Sequence, residues 1–138
     1  MRSLCLFSSM NRSRIISITG ILCLFLTFAV NGQVTGIASY YHDSLAGSKM
    51  ANGDRYDPED LTCAHMTYPL GTILKVARKG NPDHSVMVIV TDRGPYIKGR
   101  AIDLSRRAAR EIGILDSGLG EVIIALVKKP AEFSIAAR

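Results

Sequence analysis

Two aspartates flank a glycine–proline turn and several cations in the stretch VTDRGPYIKGRAIDLSRRAA, residues 90–109. Asp92 follows the apolar run VMVIV after one threonine, and Asp103 lies two residues before a helix-like segment. Carboxylates can serve as the general acid and general base of an enzyme. Each also has a structural interpretation, because Asp92 could cap a turn and Asp103 could stabilise the start of a helix.

A second acidic stretch, ANGDRYDPEDLTCAH, covers residues 51–65 and contains Asp54, Asp57 and His65. Asp57 stands before Pro58, and this composition favours a turn. A histidine outside any ligand spacing is more often a packing residue than a catalyst. For His65, contact with a substrate is the interpretation that lies between these two roles.

The first 32 residues have the pattern of an export signal. They contain no acid, and a run of sixteen uncharged residues, 15–30, follows three cations, Arg2, Arg12 and Arg14. A cationic N-terminal region, an apolar central region and a final region of small and polar residues are typical of a secretory signal peptide. An uncleaved anchor is the alternative, but the run is short for a membrane span of about 20 residues.

These features predict three parts of the chain: a signal peptide over residues 1–32, one domain over residues 33–129 and a loose C-terminal tail over residues 130–138. The sequence GILC at residues 20–23 has leucine where a small residue is expected before a lipidated cysteine, so there is no clear lipid-attachment motif.

Charge and metal-ligand spacing exclude several classes of function. The chain has a formal net charge of +5, but residues 33–138 hold 14 Lys+Arg against 12 Asp+Glu, which leaves +2. That charge is too weak to indicate a nucleic-acid partner. Cys63 is the single cysteine of this part, and His42, His65 and His84 have no zinc-ligand spacing. We therefore expect no metal and no cofactor.

Hydrophobic patterning predicts a mainly β domain. Runs rich in β-forming residues predict strands over 34–41, 73–78, 85–91 and 120–128, with a hairpin loop over KGNPDH, residues 79–84. Five consecutive apolar residues, VMVIV, predict a strand buried on both faces, as in a small closed barrel. A helix is predicted over residues 105–112, with Ser105 as the N-cap and Gly113 as the stop.

Five separated motifs (GIASYY, ANGDRYDPEDLTCAH, PLGT, TDRGPY and RAIDLS) together resemble the rare lipoprotein A (RlpA) family over about residues 34–128. The resemblance implies a six-stranded double-psi β-barrel of the barwin and expansin type, with one or two short helices. It also implies a bacterial periplasmic or cell-envelope lytic transglycosylase. Such an enzyme cuts peptidoglycan glycan strands, preferably those stripped of stem peptides, and leaves 1,6-anhydro ends.

The resemblance assigns roles to three aspartates. The essential aspartate of the family falls on Asp92, and its second acid, usually glutamate, falls on Asp54. Aspartate is one methylene shorter, and a displacement of about 1 Å in a catalytic group can cost ~100-fold in rate. Asp103 is the third candidate, with catalysis and helix stabilisation both open.

The substrate-binding candidates are His65, Asp57, Tyr41 and Arg93. His65 and Asp57 match family positions, and Cys63, which replaces an alanine, is expected only to pack. Since neighbouring strand residues point to opposite faces, one of Tyr40 and Tyr41 belongs in the core and the other could stack on a sugar. Arg93 could meet carboxylates of the glycan or lie in an ordinary solvated loop.

Two classes of function therefore remain open. One is an enzyme that cleaves peptidoglycan with Asp92 as acid and base, and the other is a non-catalytic, expansin-like module that only binds glycan. The shorter acid at position 54 is the feature that favours the second class. The expected partner in both cases is a glycan strand, and the expected state is a monomer.

Overall fold

The computed structural model describes residues 32–130, which form one barrel domain. The predicted signal peptide and C-terminal tail lie outside these residues, apart from one residue of each. The elements in chain order are strand β1 Gln33–Tyr40, a short 3₁₀ helix Asp43–Leu45, strands β2 Thr62–Ala64, β3 Ile73–Arg78, β4 Asn81–Asp92 and β5 Arg100–Leu104, helix α1 Arg106–Glu111 and strand β6 Gly120–Lys128. No helix between residues 32 and 130 is long and apolar enough to cross a membrane.

The six strands close into a barrel in the order β1-β5-β2-β4-β3-β6. Two pairs, β1–β5 and β2–β4, are parallel, while the four other neighbouring pairs are antiparallel. Closure gives every strand two hydrogen-bonded neighbours and leaves no free edge. The mainly β, six-stranded barrel with a short helix confirms the predicted fold class.

The barrel interior is filled by aliphatic side chains from alternate strand positions. Fully buried residues include Leu74, Val88, Ile102, Leu104 and Ile124. Cys63 on β2 is also buried in this core, so its side chain packs, as predicted. Removal of this apolar surface from water is the main force that closes the barrel.

The prediction that VMVIV is buried on both faces is wrong. Val86, Val88 and Val90 point into the core, but Met87 and Ile89 are 47% and 44% exposed on the outer surface. Strand side chains alternate between faces, and nothing described covers the outside of β4 at these positions. The continuous apolar run therefore reflects an apolar outer surface, not a second packed layer.

The β3–β4 turn is shorter than predicted. It consists of Lys79 and Gly80, and β4 already begins at Asn81. Gly80 has a φ of 84°, which glycine adopts without strain, so two residues can reverse the chain. The register then jumps from Ala77↔Ser85 to Arg78↔Asn81, which leaves Pro82 in an irregular, exposed part of the strand.

Helix α1 confirms the predicted helix. The Ser105 hydroxyl accepts the backbone N–H of Ala108 at 3.3 Å, as an N-cap does, and Gly113 follows the C-cap with a φ of 72°. Ser105 also donates to the carbonyl of Asp60 at 2.6 Å. The helix start is thereby tied to the loop before β2.

Candidate active site

Asp92 ends β4, and three donors hold its carboxylate. Oδ1 accepts backbone N–H groups from Ala51 at 2.9 Å and from Arg93 at 2.8 Å. Oδ2 accepts the phenol O–H of Tyr41 at 2.8 Å. Because these donors come from three positions in the chain, the half-buried carboxylate has a fixed orientation.

Tyr41 follows β1 and links Asp92 to a second aromatic ring. Its ring lies 4.8 Å from that of Tyr56, in a tilted arrangement. Burial raises the pKa of Tyr41, and so do the hydrogen bond to Asp92 and the negative charges of Asp92 and Asp103. Tyr41 therefore stays a neutral phenol and keeps its proton for the Asp92 contact.

A surface cavity of about 150 Å³ opens beside Asp92. Its walls combine two tyrosine rings, apolar side chains and one cation; the lining residues are Tyr41, Leu45, Ser48, Lys49, Met50, Tyr56 and Asp92. An apolar cleft with a few polar groups is the usual form of a small-ligand site. Asp92 is the carboxylate that this cavity presents to a ligand.

Asp103 lies level with Asp92 across the barrel wall. On β2, Ala64 is in register with Asp92 of β4 on one side and with Asp103 of β5 on the other. Two strand spacings, or roughly 10 Å, therefore separate the two backbones. Asp103 Oδ1 accepts a hydrogen bond from the hydroxyl of Ser39 on β1. The residue that caps the start of helix α1 is Ser105 and not Asp103.

Asp54 belongs to a loop that is bonded to the end of β4. The Ala51 N–H reaches Asp92 and the Asn52 N–H donates to the carbonyl of Thr91 at 3.0 Å. Asp54 Oδ2 accepts the amide of Asn52 at 2.7 Å, and the Asp54 N–H donates to Asn52 Oδ1 at 3.0 Å. The exposed Asp54 side chain does not line the cavity beside Asp92.

His65 and Arg93 form a rigid unit behind Asp92. The Arg93 guanidinium donates to the carbonyls of His65 at 2.9 Å and Tyr68 at 2.7 Å. The His65 ring lies 4.6 Å from the Tyr68 ring, and its Nδ1 accepts the N–H groups of Thr67 and Tyr68. Burial, and secondarily the charge of Arg93, lower the pKa of His65, which favours the neutral ring with its proton on Nε2.

Two of the sequence candidates have clear structural partners. Arg93 uses one guanidinium nitrogen for the two backbone carbonyls, so this nitrogen supports the fold of the loop. Asp57 is exposed, and its Oδ1 accepts the N–H of Glu59 at 2.9 Å in a local turn. The roles of Arg93 and Asp57 toward a substrate stay predictions.

Several residues of the site were not predicted from the sequence. Ser39 reaches Asp103 through the parallel pairing of β1 with β5, which no local pattern encodes. Tyr56 and Lys49 line the cavity but belong to a loop without periodicity. Ala51 contributes only its backbone N–H, for which side-chain identity gives no signal.

The closed six-stranded barrel with two parallel strand pairs has the architecture of a double-psi β-barrel. Residues 33–124 match the family described as lytic transglycolase. The chain therefore belongs to this family.

Curated relatives named endolytic peptidoglycan transglycosylase RlpA match the barrel region. The protein of Pasteurella multocida is 47% identical over 93 residues, which are 67% of this chain and 31% of the relative. The protein of Rickettsia felis is 42% identical over 101 residues, which are 71% of this chain and 44% of the relative. The chain thus spans less than half the length of these relatives.

Solved structures share the fold at lower identity. The Streptomyces papain inhibitor superposes with a TM-score of 0.56 at 24% identity, over 70% of this chain and 94% of the inhibitor. The apo expansin of Clavibacter michiganensis superposes with a TM-score of 0.55 at 21% identity, over 72% of this chain and 52% of the expansin. A variant of that expansin was solved in complex with cellohexaose, with a TM-score of 0.54 at 20% identity over the same shares.

Proposed function

We propose that this protein is a lytic transglycosylase that cleaves the bond between N-acetylmuramic acid and N-acetylglucosamine in peptidoglycan glycan strands, preferably strands stripped of peptides. Membership of the lytic transglycolase family and the names of the relatives support this activity. The observation that carries the proposal is the Asp92 carboxylate, which is held by three donors at the wall of an aromatic cavity.

The reaction needs one group that first gives and then takes a proton. Protonated Asp92 donates to the glycosidic oxygen while the bond from this oxygen to the anomeric carbon breaks and positive charge develops on the sugar. The 6-hydroxyl of the same muramic acid then attacks the anomeric carbon and gives its proton to the Asp92 carboxylate. The products are a 1,6-anhydro end and a free 4-hydroxyl on the leaving sugar, so protons and atoms balance.

The hydrogen bonds of Asp92 suggest which oxygen carries this proton. An ionised carboxylate oxygen has about two acceptor positions. Oδ1 uses both for the Ala51 and Arg93 N–H groups, whereas Oδ2 accepts only the Tyr41 hydroxyl among the described donors. Oδ2 therefore has a free position and is the oxygen that we assign to proton transfer, with Tyr41 as its positioning residue.

The other acids stabilise the positive charge that develops on the sugar. Asp103 lies level with Asp92, and the negative charges of both act on Tyr41. A second carboxylate in such a position stabilises an oxocarbenium-like centre. We assign the same electrostatic role, at longer range, to Asp54, and substrate contact to the free Nε2 of His65.

A glycan-binding module without catalysis is the second candidate function. The exposed Asp54, which does not line the cavity and is shorter than the family glutamate, favours it. The expansin of similar fold that was solved with cellohexaose also supports a carbohydrate ligand. In this case the cavity beside Asp92 would hold a sugar without cleaving the chain.

We also propose that the protein is exported to the periplasm or cell envelope. Peptidoglycan lies outside the cytoplasmic membrane, so an enzyme that cuts it must cross that membrane. The cationic and apolar pattern of residues 1–32 supports export.

The test of the proposed function is a digest of amidase-treated sacculi, in which the stem peptides have been removed. Mass spectrometry of the soluble products should detect glycan fragments with 1,6-anhydro ends. Untreated sacculi serve as the comparison and should release less product. Sacculi that bind the protein but release no anhydro ends would establish the binding-module function instead.

A further inference from the structure

The loop between β4 and β5 carries an exposed aromatic ring next to the acidic site. Tyr96 is 79% exposed and Ile97 is 57% exposed. Burial in the core therefore does not account for the Tyr96 side chain. Single exposed apolar residues are common, so its position relative to Asp103 is what matters.

The base of this loop fixes where the ring lies. Gly94 and Pro95 are buried, whereas the four residues that follow them are exposed. Gly94 has a φ of 140° and Gly99 a φ of 91°, both values that favour glycine, and the Arg100 N–H closes a turn onto the carbonyl of Ile97 at 3.2 Å. Tyr96 therefore extends into solvent from an anchored turn.

Tyr96 and Asp103 both lie near Gly94. A Cβ atom placed on Gly94 would lie 3.8 Å from Tyr96 Cε2 and 3.9 Å from Asp103 Oδ2. The ring edge and the carboxylate can be no further apart than the sum of these two distances. The exposed aromatic ring is therefore within the length of about one sugar ring of one of the acids of the proposed site.

We propose that the Tyr96 ring is a stacking platform for a pyranose ring of the glycan strand, next to the sugar that reacts. This inference rests on the proposed function, because it takes the glycan as the ligand of the site. A strand continues past the bond that is cleaved, so the surface beside the acids must accommodate further sugars. The C–H face of a pyranose is apolar and packs on an aromatic face, while the tyrosine hydroxyl can bond a sugar hydroxyl.

The experiment compares the full chain with Tyr96→Ala, Tyr96→Trp and a control, Met87→Ala. Met87 is 47% exposed on the outer face of β4 and is likewise a large apolar side chain. The readouts are kcat and KM for the release of anhydro ends from stripped glycan. Calorimetry with soluble stripped glycan oligosaccharides measures Kd in the Asp92→Asn background, where cleavage does not interfere.

Tyr96→Ala should raise KM and Kd about 3- to 10-fold and change kcat less than about twofold, because it removes a contact that is made equally with the substrate and the transition state. Tyr96→Trp should keep near wild-type values, and Met87→Ala should match the wild type. Because Tyr96 is exposed, Tyr96→Ala and Tyr96→Trp should have the wild-type thermal midpoint.

The outcomes separate this inference from the proposed function. If the wild type cleaves glycan and Tyr96→Ala behaves like Met87→Ala, the platform is refuted and the enzyme remains. If the wild type binds glycan without cleaving it and Tyr96→Ala weakens binding, the platform holds for a binding module. If the wild type neither binds nor cleaves glycan, both proposals fail, and an exposed Tyr96 would point to a protein partner.

Discussion

The setting of Asp92 depends on side-chain and backbone groups from distant parts of the sequence. Its carboxylate contacts Tyr41, which follows β1, and the backbone of Ala51, which belongs to the loop of Asp54. The same loop is anchored to the end of β4 through Asn52. A change in this loop therefore affects both proposed acids, and only substitutions that preserve the backbone can separate their roles.

Asp54→Glu tests whether the shorter acid limits activity. Asp54 is exposed, so one more methylene has room, and the longer side chain restores the usual family residue. We expect the rate of anhydro-end formation by Asp54→Glu to be equal to or higher than that of the wild type. Asp54→Ala should lower the rate less than Asp92→Asn, because Asp54 acts only through its charge.

The matched control for Asp54→Glu is Asp116→Glu, the same extension at an exposed aspartate outside the site. It should leave the rate unchanged. A tenfold loss in Asp54→Glu, or a loss in Asp54→Ala as large as that in Asp92→Asn, would contradict the secondary role of Asp54.

His65 should make the free energy of unfolding depend on pH. Its pKa in the folded protein is lowered, chiefly by burial, from an ordinary value of 6.5. The unfolded chain then binds more protons at acidic pH, so the contribution is fully present above pH 6.5 and is lost as the pH falls through the lower folded pKa. Denaturant unfolding between pH 7.5 and about 5 should show a shallower loss of stability in His65→Gln than in the wild type.

His84→Gln, at an exposed histidine of β4, is the control and should follow the wild-type dependence. An identical slope in His65→Gln and the wild type would show that His65 is not held neutral by the fold.

At the scale of elements, the parallel pair β1–β5 is the contact that brings Ser39 to Asp103. Its strands approach closely at Gly36, where an added Cβ would lie 2.4 Å from the Cβ of Ala101. The register also shifts between Ile37 and Ala38, one step before Ser39. Glycine at position 36 is therefore required by its close packing against the Ala101 side chain.

Gly36→Ala should destabilise the barrel by about 1–3 kcal/mol, as overpacking does in a tight core. Thermal or denaturant unfolding of Gly36→Ala and of the wild type measures the loss. Equal stability of the two proteins would mean that β1 and β5 can separate at no cost.

Helix α1 and the longer strands were predictable because their signals are local. Ser105 and Gly113 mark the two ends of α1, and alternation or apolar runs identify β1, β3 and β6. Strand β2 has only three residues, too few for a period to emerge, and β5 directly follows a turn-rich loop. Their pairing became predictable only through the family resemblance.

The candidate site was predictable in part for the same reason. Asp92 and Tyr41 lie in segments whose order matches the family, and the structure brings their side chains into contact. The Ser39 hydroxyl that reaches Asp103 depends on parallel pairing of distant strands, which no local pattern encodes. The exposure of Met87 and Ile89 was missed because an apolar run does not reveal whether an outer layer covers it.

At the scale of the whole molecule, the strands of the barrel extend from residue 33 to residue 128. We expect the chain to be exported and to lose about its first 32 residues. N-terminal sequencing of the protein from the cell envelope should give a start close to Gln33. Recovery of the full-length chain in the cytosol would contradict export.

The central claim is that Asp92 transfers the proton in glycan cleavage. The most direct measurement quantifies 1,6-anhydro ends released from stripped glycan by the wild type, Asp92→Asn and the control Asp83→Asn. Asp83 is exposed near the start of β4, up to about 30 Å along the strand from Asp92. Sacculus binding and the thermal midpoint are recorded in parallel to verify that each variant is folded.

We expect the wild type and Asp83→Asn to form anhydro ends at similar rates. In Asp92→Asn the rate of anhydro-end release should fall at least about 100-fold, because the amide cannot donate or accept the catalytic proton. This variant should still fold and bind sacculi. A folded Asp92→Asn protein that releases anhydro ends at a rate near that of the wild type would contradict the claim.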